Sequence, residues 1–403
     1  MHDIAIVGGG PGGLYAAVQL ARRGFDVAVL EEHSSAGEPV HCTGVLAVEA
    51  FDELDVPREC ILNPLSTARF FGPSGGSFSY TTPRTEAVVI DRSLFDRLLC
   101  ERAEAAGARV HADSRVTDVQ VSATGVTITL TSTSGTLGTS GTPGTSIQAR
   151  ACILACGANY TLQRRLGLGM ASCHLQSAQL EVPALQPGDT EIYFGSDIAP
   201  RGFAWAVPVY RDGRPFARIG LMCERDAREY FDRFLARIAP RWRIATDTAA
   251  GGLAPRSKVL PLGPIDRTYA TRLLAVGDAA GLVKATTGGG IYYSLVSGGL
   301  AAEVLGGALE RDELDADSLA VYEQRWRAML GDELSAQMTL RDIANRLSDD
   351  EIESLFELAR TNGIMPIIRR TATFNRHRNL ILSLIGHPPA RRVLTRRVLG
   401  LNT

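Results

Sequence analysis

Three glycines, Gly8, Gly10 and Gly13, stand at GxGxxG spacing between an apolar run, Ile4 to Val7, and a helix-like stretch, Leu14 to Arg23. That spacing suits a turn that takes phosphate. Gly8 permits the tight bend, Gly10 lets the backbone approach a pyrophosphate, and Gly13 lets the helix pack close to the strand, its free N–H groups aimed at the anion. A second apolar run, Val27 to Leu30, ends at Glu31, where a carboxylate accepts hydrogen bonds from an adenosine ribose. Far downstream, an apolar strand ends at Gly277–Asp278, and a glycine cluster, Gly288 to Gly290, opens a long helix of small residues at Ile291. An acid at a strand end binds polyol hydroxyls, and bare backbone N–H groups suit a flat ring or a phosphate. Two separated glycine turns, one bearing an acid, fit a large cofactor lying extended between them.

Other groups have two readings each. Arg92, where a helix begins, is either an exposed basic residue or a charged donor to a cofactor phosphate. Cys42 lies with Thr43 and Gly44 in a Gly-, Pro- and Ser-rich loop, residues 34–44, where it is either exposed and reactive or simply small. In GFAWAVP, Phe203 and Trp205 share one strand face. They are either core aromatics or the wall of an apolar pocket, their neighbours Ala204 and Ala206 being small.

The elements that must position these groups follow from periodicity. Residues 88–110 read as strand, helix, strand, and ACILACGA, residues 151–158, as a buried strand ending in a glycine turn. TARFFGPSGGSFSY reads as a hairpin turning at Pro73–Gly76, and residues 116–130 as a hairpin turning near Thr124–Gly125. The Thr-, Ser- and Gly-rich residues 131–146 cannot bury a core and read as a hairpin tip without function. Residues 173–249 carry strands with aromatic and proline punctuation, the pattern of an antiparallel sheet in a second lobe. After Glu310 the chain is helical. Beyond Glu357 there is no acid, and apolar residues alternate with Arg369, Arg370, Arg376, Arg378, Arg391, Arg392, Arg396 and Arg397. That composition suits either a helix on an anionic membrane surface or a solvated helical cap.

Composition removes several classes. A chain of 403 residues buries a large core in two or more lobes, and its net charge of −2 does not mark a nucleic-acid binder. The seven cysteines are scattered without CxxC pairs, against zinc or an iron–sulfur cluster, and no metal site is expected. Lysine occurs only at Lys258 and Lys284, which reads as compositional bias. No apolar stretch nears the roughly twenty residues of a membrane span. With no leader-like segment, a cytoplasmic protein, soluble or membrane-associated at its surface, is expected.

The three stations at residues 8–31, 88–99 and 273–290 resemble the flavoprotein family that includes p-hydroxybenzoate hydroxylase and geranylgeranyl reductase, over about residues 1–310. The resemblance implies FAD. Gly8, Gly10, Pro11 and Gly13 with Glu31 and Glu32 hold its ADP half, Arg92 reaches toward the pyrophosphate, and Asp278 binds the ribitol. Gly288, Gly289, Gly290 and Ile291 approach the isoalloxazine, with Cys42, Gly44 and Gly157 completing the set. The implied fold is α/β (α+β overall): a Rossmann-like FAD-binding domain (1–64, 84–172 and 250–310), an antiparallel-sheet substrate domain (65–83 and 173–249) and a C-terminal helical region (311–403).

TGGGI (287–291), Cys42–Thr43–Gly44 and GFAWAVP are similar to the geranylgeranyl reductase branch, with Phe203, Trp205 and Pro208 matching its pocket motif and Val207 replacing an aromatic. The implied activity is saturation of C=C bonds in a geranylgeranyl-type chain, Phe203, Trp205, Pro208 and Tyr292 lining the pocket. Cys42 is the matched candidate for the acid or gate beside the flavin, and an ordered water or Tyr292 would serve equally. The alternatives are an FAD monooxygenase of an aromatic or polyketide-like molecule, a halogenase-like enzyme and a non-catalytic flavoprotein. Against hydroxylases, Cys156–Gly157 replaces their Asp-Gly, with Tyr160 and Gln163 at the following Ser and Arg positions. Against halogenases, the early strand region has no lysine. No second Rossmann unit for a nicotinamide is recognisable, so the expected reductant is NAD(P)H in transient contact or a ferredoxin.

Overall fold

Ile4, Ala5 and Ile6 are fully buried, as are Val27, Ala28 and Val29, because their strands are parallel neighbours covered on both faces. The computed structural model describes residues 1–132, 145–244 and 254–395. The central part of the Thr-, Ser- and Gly-rich segment, and Arg396 and Arg397, lie outside the described residues. Strand β1 (His2–Val7) runs between β2 (Val27–Leu30) and strand Thr145–Leu154. The sheet continues from Thr145–Leu154 to Leu273–Ala275 and Tyr269–Ala270, and from β2 to Arg109–His111. The hairpin Ser114–Val121 and Val126–Ser132 joins it antiparallel.

The 12-residue helix α1 (Pro11–Arg22) starts with proline in its first turn, where a missing N–H costs nothing. It crosses the helix Ile291–Arg311 at backbone contact: a methyl on Gly298 would lie 2.3 Å from the carbonyl oxygen of Gly12. The glycine turns that head these two helices therefore face one space.

The second sheet has seven strands among the described residues, in the order Arg256–Leu262, Cys173–Pro183, Arg214–Cys223, Phe203–Arg211, Thr190–Tyr193, Thr67–Phe71, Ser77–Thr81. The hairpin expected at Pro73–Gly76 supplies its last two. Helix Ala227–Trp242 covers one face, packing Phe231, Phe234 and Trp242 against Ala204, Ala206 and Ala217. The other face looks toward the glycine turns.

One expectation needs correction here. The segment 250–310 was assigned whole to the nucleotide domain, but Arg256–Leu262 pairs with Cys173–Pro183 at the edge of the second sheet. Its alternation of exposed and buried residues, and a proline tolerated only at an edge, explain that placement. Residues 88–110 form the expected strand, helix and strand, with the two strands in different sheets. Ala87–Ile90 lies in a three-stranded sheet with Val45–Ala47 and Ile61–Leu65, and Arg109–His111 joins the large one.

Helices Ala316–Trp326, Asp332–Ala344, Asp349–Arg360, Met365–Thr371, Arg378–Gly386 and Pro388–Thr395 follow. They close the end of the second sheet, where Ile364, Met365 and Ile368 cluster with Phe78 and Tyr80 of the hairpin.

Gly8 has φ +107°, and a methyl there would lie 2.4 Å from the carbonyl oxygen of Ala155, whereas one at Gly10 meets no atom within 4 Å. Gly8→Ala is expected to lower unfolding free energy by about 2 kcal/mol or more, and Gly10→Ala to change it little. Denaturant unfolding of the two variants checks the contrast.

Candidate active site

A cavity of about 1050 Å³ lies between the two sheets and is lined by both. Glu31 sits at one end, buried. Its Oε2 accepts the N–H of Gly9 at 2.7 Å, and its Oε1 accepts the N–H of His33 at 3.0 Å with the His33 ring Nδ1 at 2.6 Å. The acid is thus oriented by its own turn. Gly8, Gly10, Pro11, Gly13, Glu32, Gly44 and Gly157 also line the cavity. Glu32 pairs with Arg115 at 3.1 Å.

The middle of the cavity is a charged cluster drawn from four elements. Asp91 caps the helix Arg92–Ala105 by accepting the N–H of Leu94, which turns Arg92 inward. Arg92 Nη2 donates to Asp96 Oδ2 at 2.7 Å, while Arg92 Nε and Asp96 Oδ1 are buried without a partner. Burial works against the guanidinium charge, but Asp96 and Cys42 outweigh it and hold the pKa above its ordinary value. Burial pushes the Asp96 carboxyl up despite Arg92. Cys42 Sγ accepts the N–H of Gly44 at 3.3 Å and faces Arg92 and Lys258. Its loop is held from the second sheet. Thr43 donates its hydroxyl to Gln179, and the buried Arg218 donates Nη1 to the carbonyls of Thr43 and Ile90 at 2.6 and 2.9 Å. Lys258 Nζ reaches Asp278 Oδ2 at 2.9 Å, and that carboxylate keeps the half-buried ammonium's pKa high against desolvation.

Beyond Asp278, Gly288, Gly289, Gly290 and Ile291 present the N-terminus of the helix Ile291–Arg311 to the cavity. The turn at Gly277–Asp278 is braced by Tyr160, whose hydroxyl donates to the carbonyl of Asp278 at 2.6 Å, and by Gln163, which donates to the carbonyl of Ala279. The two residues that replace the hydroxylase Ser and Arg are therefore occupied as braces.

The far end is apolar. Phe203, Trp205, Val207, Leu260 and Phe70 line it, the Phe203 and Trp205 rings 5.7 Å apart. Trp205 lies flat on Gly220, where a methyl would meet the indole at 2.5 Å. Pro208 is not brought here. Strand alternation puts it on the opposite face with Ala204 and Ala206. Tyr292 lines the cavity, but its hydroxyl donates to Glu53 at 2.6 Å. Residues 372–377 close this end, and Lys284 ties them down: its Nζ donates to the Phe374 carbonyl at 3.0 Å and to Asn375 Oδ1 at 2.9 Å.

Lys258, Lys284, Arg218 and Gly220 were missed from sequence. A signal existed for the lysines. Of 42 Lys and Arg residues only these two are lysine, and both line the cavity, which compositional bias does not explain.

The donor set fits an FAD molecule. Above Gly10 there is open space where a dinucleotide needs close backbone approach, and Arg92 Nε is a buried donor without an acceptor.

Burial depresses the Lys284 pKa to about 7, with Glu49 and Glu333 opposing the shift. Above about pH 7 and below the ordinary lysine value the unfolded chain binds more proton at this group than the folded one. Its contribution to stability therefore rises with pH through that window and is lost below about pH 7. Lys284→Met is expected to flatten the rise in unfolding free energy between about pH 7 and pH 10, by up to about 1.4 kcal/mol per unit of depression. Denaturant unfolding across that range measures it.

Residues 1–328 match the family model described as FAD binding domain. The digeranylgeranylglycerophospholipid reductase of Methanocaldococcus jannaschii is 30% identical over 372 residues, covering 89% of this chain and 90% of the relative. Digeranylgeranylglycerophospholipid reductase 2 of Methanothermobacter thermautotrophicus is 31% identical, over 88% of this chain and 90% of the relative. Among solved structures, a geranylgeranyl bacteriochlorophyll reductase-like protein from Thermoplasma acidophilum superposes with a TM-score of 0.83 at 23% identity, over 100% of this chain and 99% of that one. That likeness is one of fold.

Proposed function

This chain belongs to the FAD-binding-domain family, with the digeranylgeranylglycerophospholipid reductases among its relatives, and from that premise we propose that it reduces C=C bonds in the isoprenoid chains of a lipid. One observation carries the reading beyond family membership. The charged cradle built from Glu31, Arg92 and Asp278 is continuous with an apolar slot walled by Phe203, Trp205, Val207 and Leu260. A long hydrocarbon needs that slot, and a polar aromatic substrate does not.

Bound FAD supplies hydride chemistry at the double bond. The remaining work falls to the chain. Gly8, Gly10, Pro11 and Gly13 with Arg92 take the pyrophosphate, and Glu31 takes the ribose by releasing His33. Asp278 takes the ribitol, and Gly288 to Ile291 seat the ring. Trp205, braced on Gly220, and Phe203 exclude water and hold the alkene against that ring. The second carbon needs a proton, and Cys42 Sγ–H is our candidate for its source. Tyr292 is the weaker one, since burial first and then Glu53 push its pKa up and its hydroxyl is committed. NAD(P)H or a ferredoxin would restore the reduced cofactor.

The exposed Arg369, Arg370 and Arg378 flank the 372–377 segment, which itself carries the exposed Arg376, at the apolar end of the cavity. Among the described residues no helix is long and apolar enough to cross a membrane. We assign these arginines to contact with anionic lipid at the surface of a bilayer.

Dithionite-reduced protein given a geranylgeranylated phospholipid should add two hydrogens per double bond, read by mass spectrometry. Unchanged lipid, together with oxygen-dependent hydroxylation of a phenol, would sink the reading. Cys42→Ala should keep its FAD and lose about a hundredfold or more in rate. Replacing Arg369 and Arg370 by serine should weaken binding to phosphatidylglycerol vesicles by about tenfold or more, measured by co-sedimentation at low salt.

A further inference from the structure

Lys258 comes from the substrate-side sheet yet ends in the cofactor cradle. Its backbone is fixed in the strand Arg256–Leu262, where Ser177 donates its hydroxyl to the Lys258 carbonyl at 3.0 Å. Its side chain crosses the gap between the sheets, and its ammonium rests 2.9 Å from Asp278 Oδ2, with Cys42, Arg92, Asp96 and His41 among its other charged or titratable neighbours. The space around Asp278 is tight, because a methyl on Gly290 would lie 2.7 Å from its Oδ1. The contact is made by a compact ammonium, where nearly every other cationic position of this chain carries the planar fork of arginine. Lys258 thus stands between the acid assigned to the ribitol and the cysteine assigned to the ring.

We propose that Lys258 is a positioning residue for the cofactor's electronics: it holds a fixed positive charge against the ring end of bound FAD and raises its reduction potential. The assignment rests on the FAD reading above. Reduction adds negative charge to the ring system, and an ammonium in a desolvated cleft favours the reduced state over the oxidised one. In the structure Asp278 neutralises that ammonium. Asp278 keeps its charge when ribitol hydroxyls donate to it, so the field at the ring is that of an oriented pair whose positive end faces Cys42.

The test uses holoprotein and no lipid. Midpoint potentials of wild type, Lys258→Met and Lys258→Arg are measured against reference dyes, with FAD affinity from fluorescence and sulfite binding by absorbance. Lys258→Met should retain FAD, shift to a more negative potential and bind sulfite about tenfold more weakly or worse, with Lys258→Arg intermediate. An unchanged potential in Lys258→Met overturns the assignment. So does a Met variant that loses FAD altogether while the Arg variant recovers binding at wild-type potential, which would make Lys258 a brace for Asp278. Because no lipid is present, either failure leaves the reductase reading standing. Failure of that reading would appear as wild-type protein that shows the potential difference and reduces no prenyl lipid.

Discussion

Everything in the site depends on two helices touching backbone to backbone. A methyl on Gly12 would lie 2.8 Å from the carbonyl oxygen of Ser294, and one on Gly298 2.3 Å from that of Gly12, so neither glycine tolerates a side chain without moving a helix. Side chains ordinarily hold helix axes about 8–10 Å apart, and removing them at the crossing lets the axes come closer. The consequence is positional. Each helix begins at a glycine turn, and the crossing fixes the distance between Gly10 and Gly290 although most of the chain separates them. Gly277 belongs to the same contact, its N–H donating to Ser297 at 3.0 Å. Because this crossing is close, both turns line one cavity.

The second constraint is between layers, and cationic side chains make it. Arg218 is buried and reaches from the substrate sheet to the carbonyls of Thr43 and Ile90, with its Nε bonded to Glu181 at 2.6 Å. Lys258 makes the parallel crossing to Asp278. Buried ion pairs contribute little net stability, since desolvation offsets much of the attraction, but their geometry is demanding. Here that demand sets the register of one layer on the other. Gly44 is part of the arrangement, because a methyl there would lie 2.6 Å from Arg218 Nη1. The loop bearing Cys42 is consequently fixed by a residue of the opposite lobe.

What could be read from sequence was what is local. Gly8, Gly13 and Glu31 announce themselves because strand, turn, helix and acid lie within one short segment and each has a separate steric or hydrogen-bonding reason. Asp278 and Gly288 to Gly290 were legible for the same reason. Pro208 was misplaced by a motif that ignores the two-residue alternation, which turns it away from Trp205. Gly220 gave no signal at all, since its role is to be flat beneath an indole on the neighbouring strand. Lys258 was hidden twice: its strand was assigned to the wrong lobe, and its partner lies across the interface. Its rarity was visible, but rarity acquires meaning only when both lysines are found lining one cavity.

The two lysines also show how one cavity keeps two characters. Lys284 is buried and Lys258 half-buried, and desolvation works against the charge of each. Lys258 has a carboxylate at 2.9 Å and stays charged, whereas Lys284 bonds only to neutral oxygens and falls to about 7. His377, packed nearby, is driven down to about 4, first by burial and then by Lys284, and so is neutral at physiological pH. The cavity therefore keeps its cation beside Asp278, and at the end closed by Phe374 Lys284 loses part of its charge at neutral pH. A hydrocarbon chain lying against Phe203 and Trp205 meets apolar ring faces, and the buried Trp205 Nε1, without a hydrogen-bond partner, is already cut off from water. Polarity along the cavity is set by which cation was given a carboxylate.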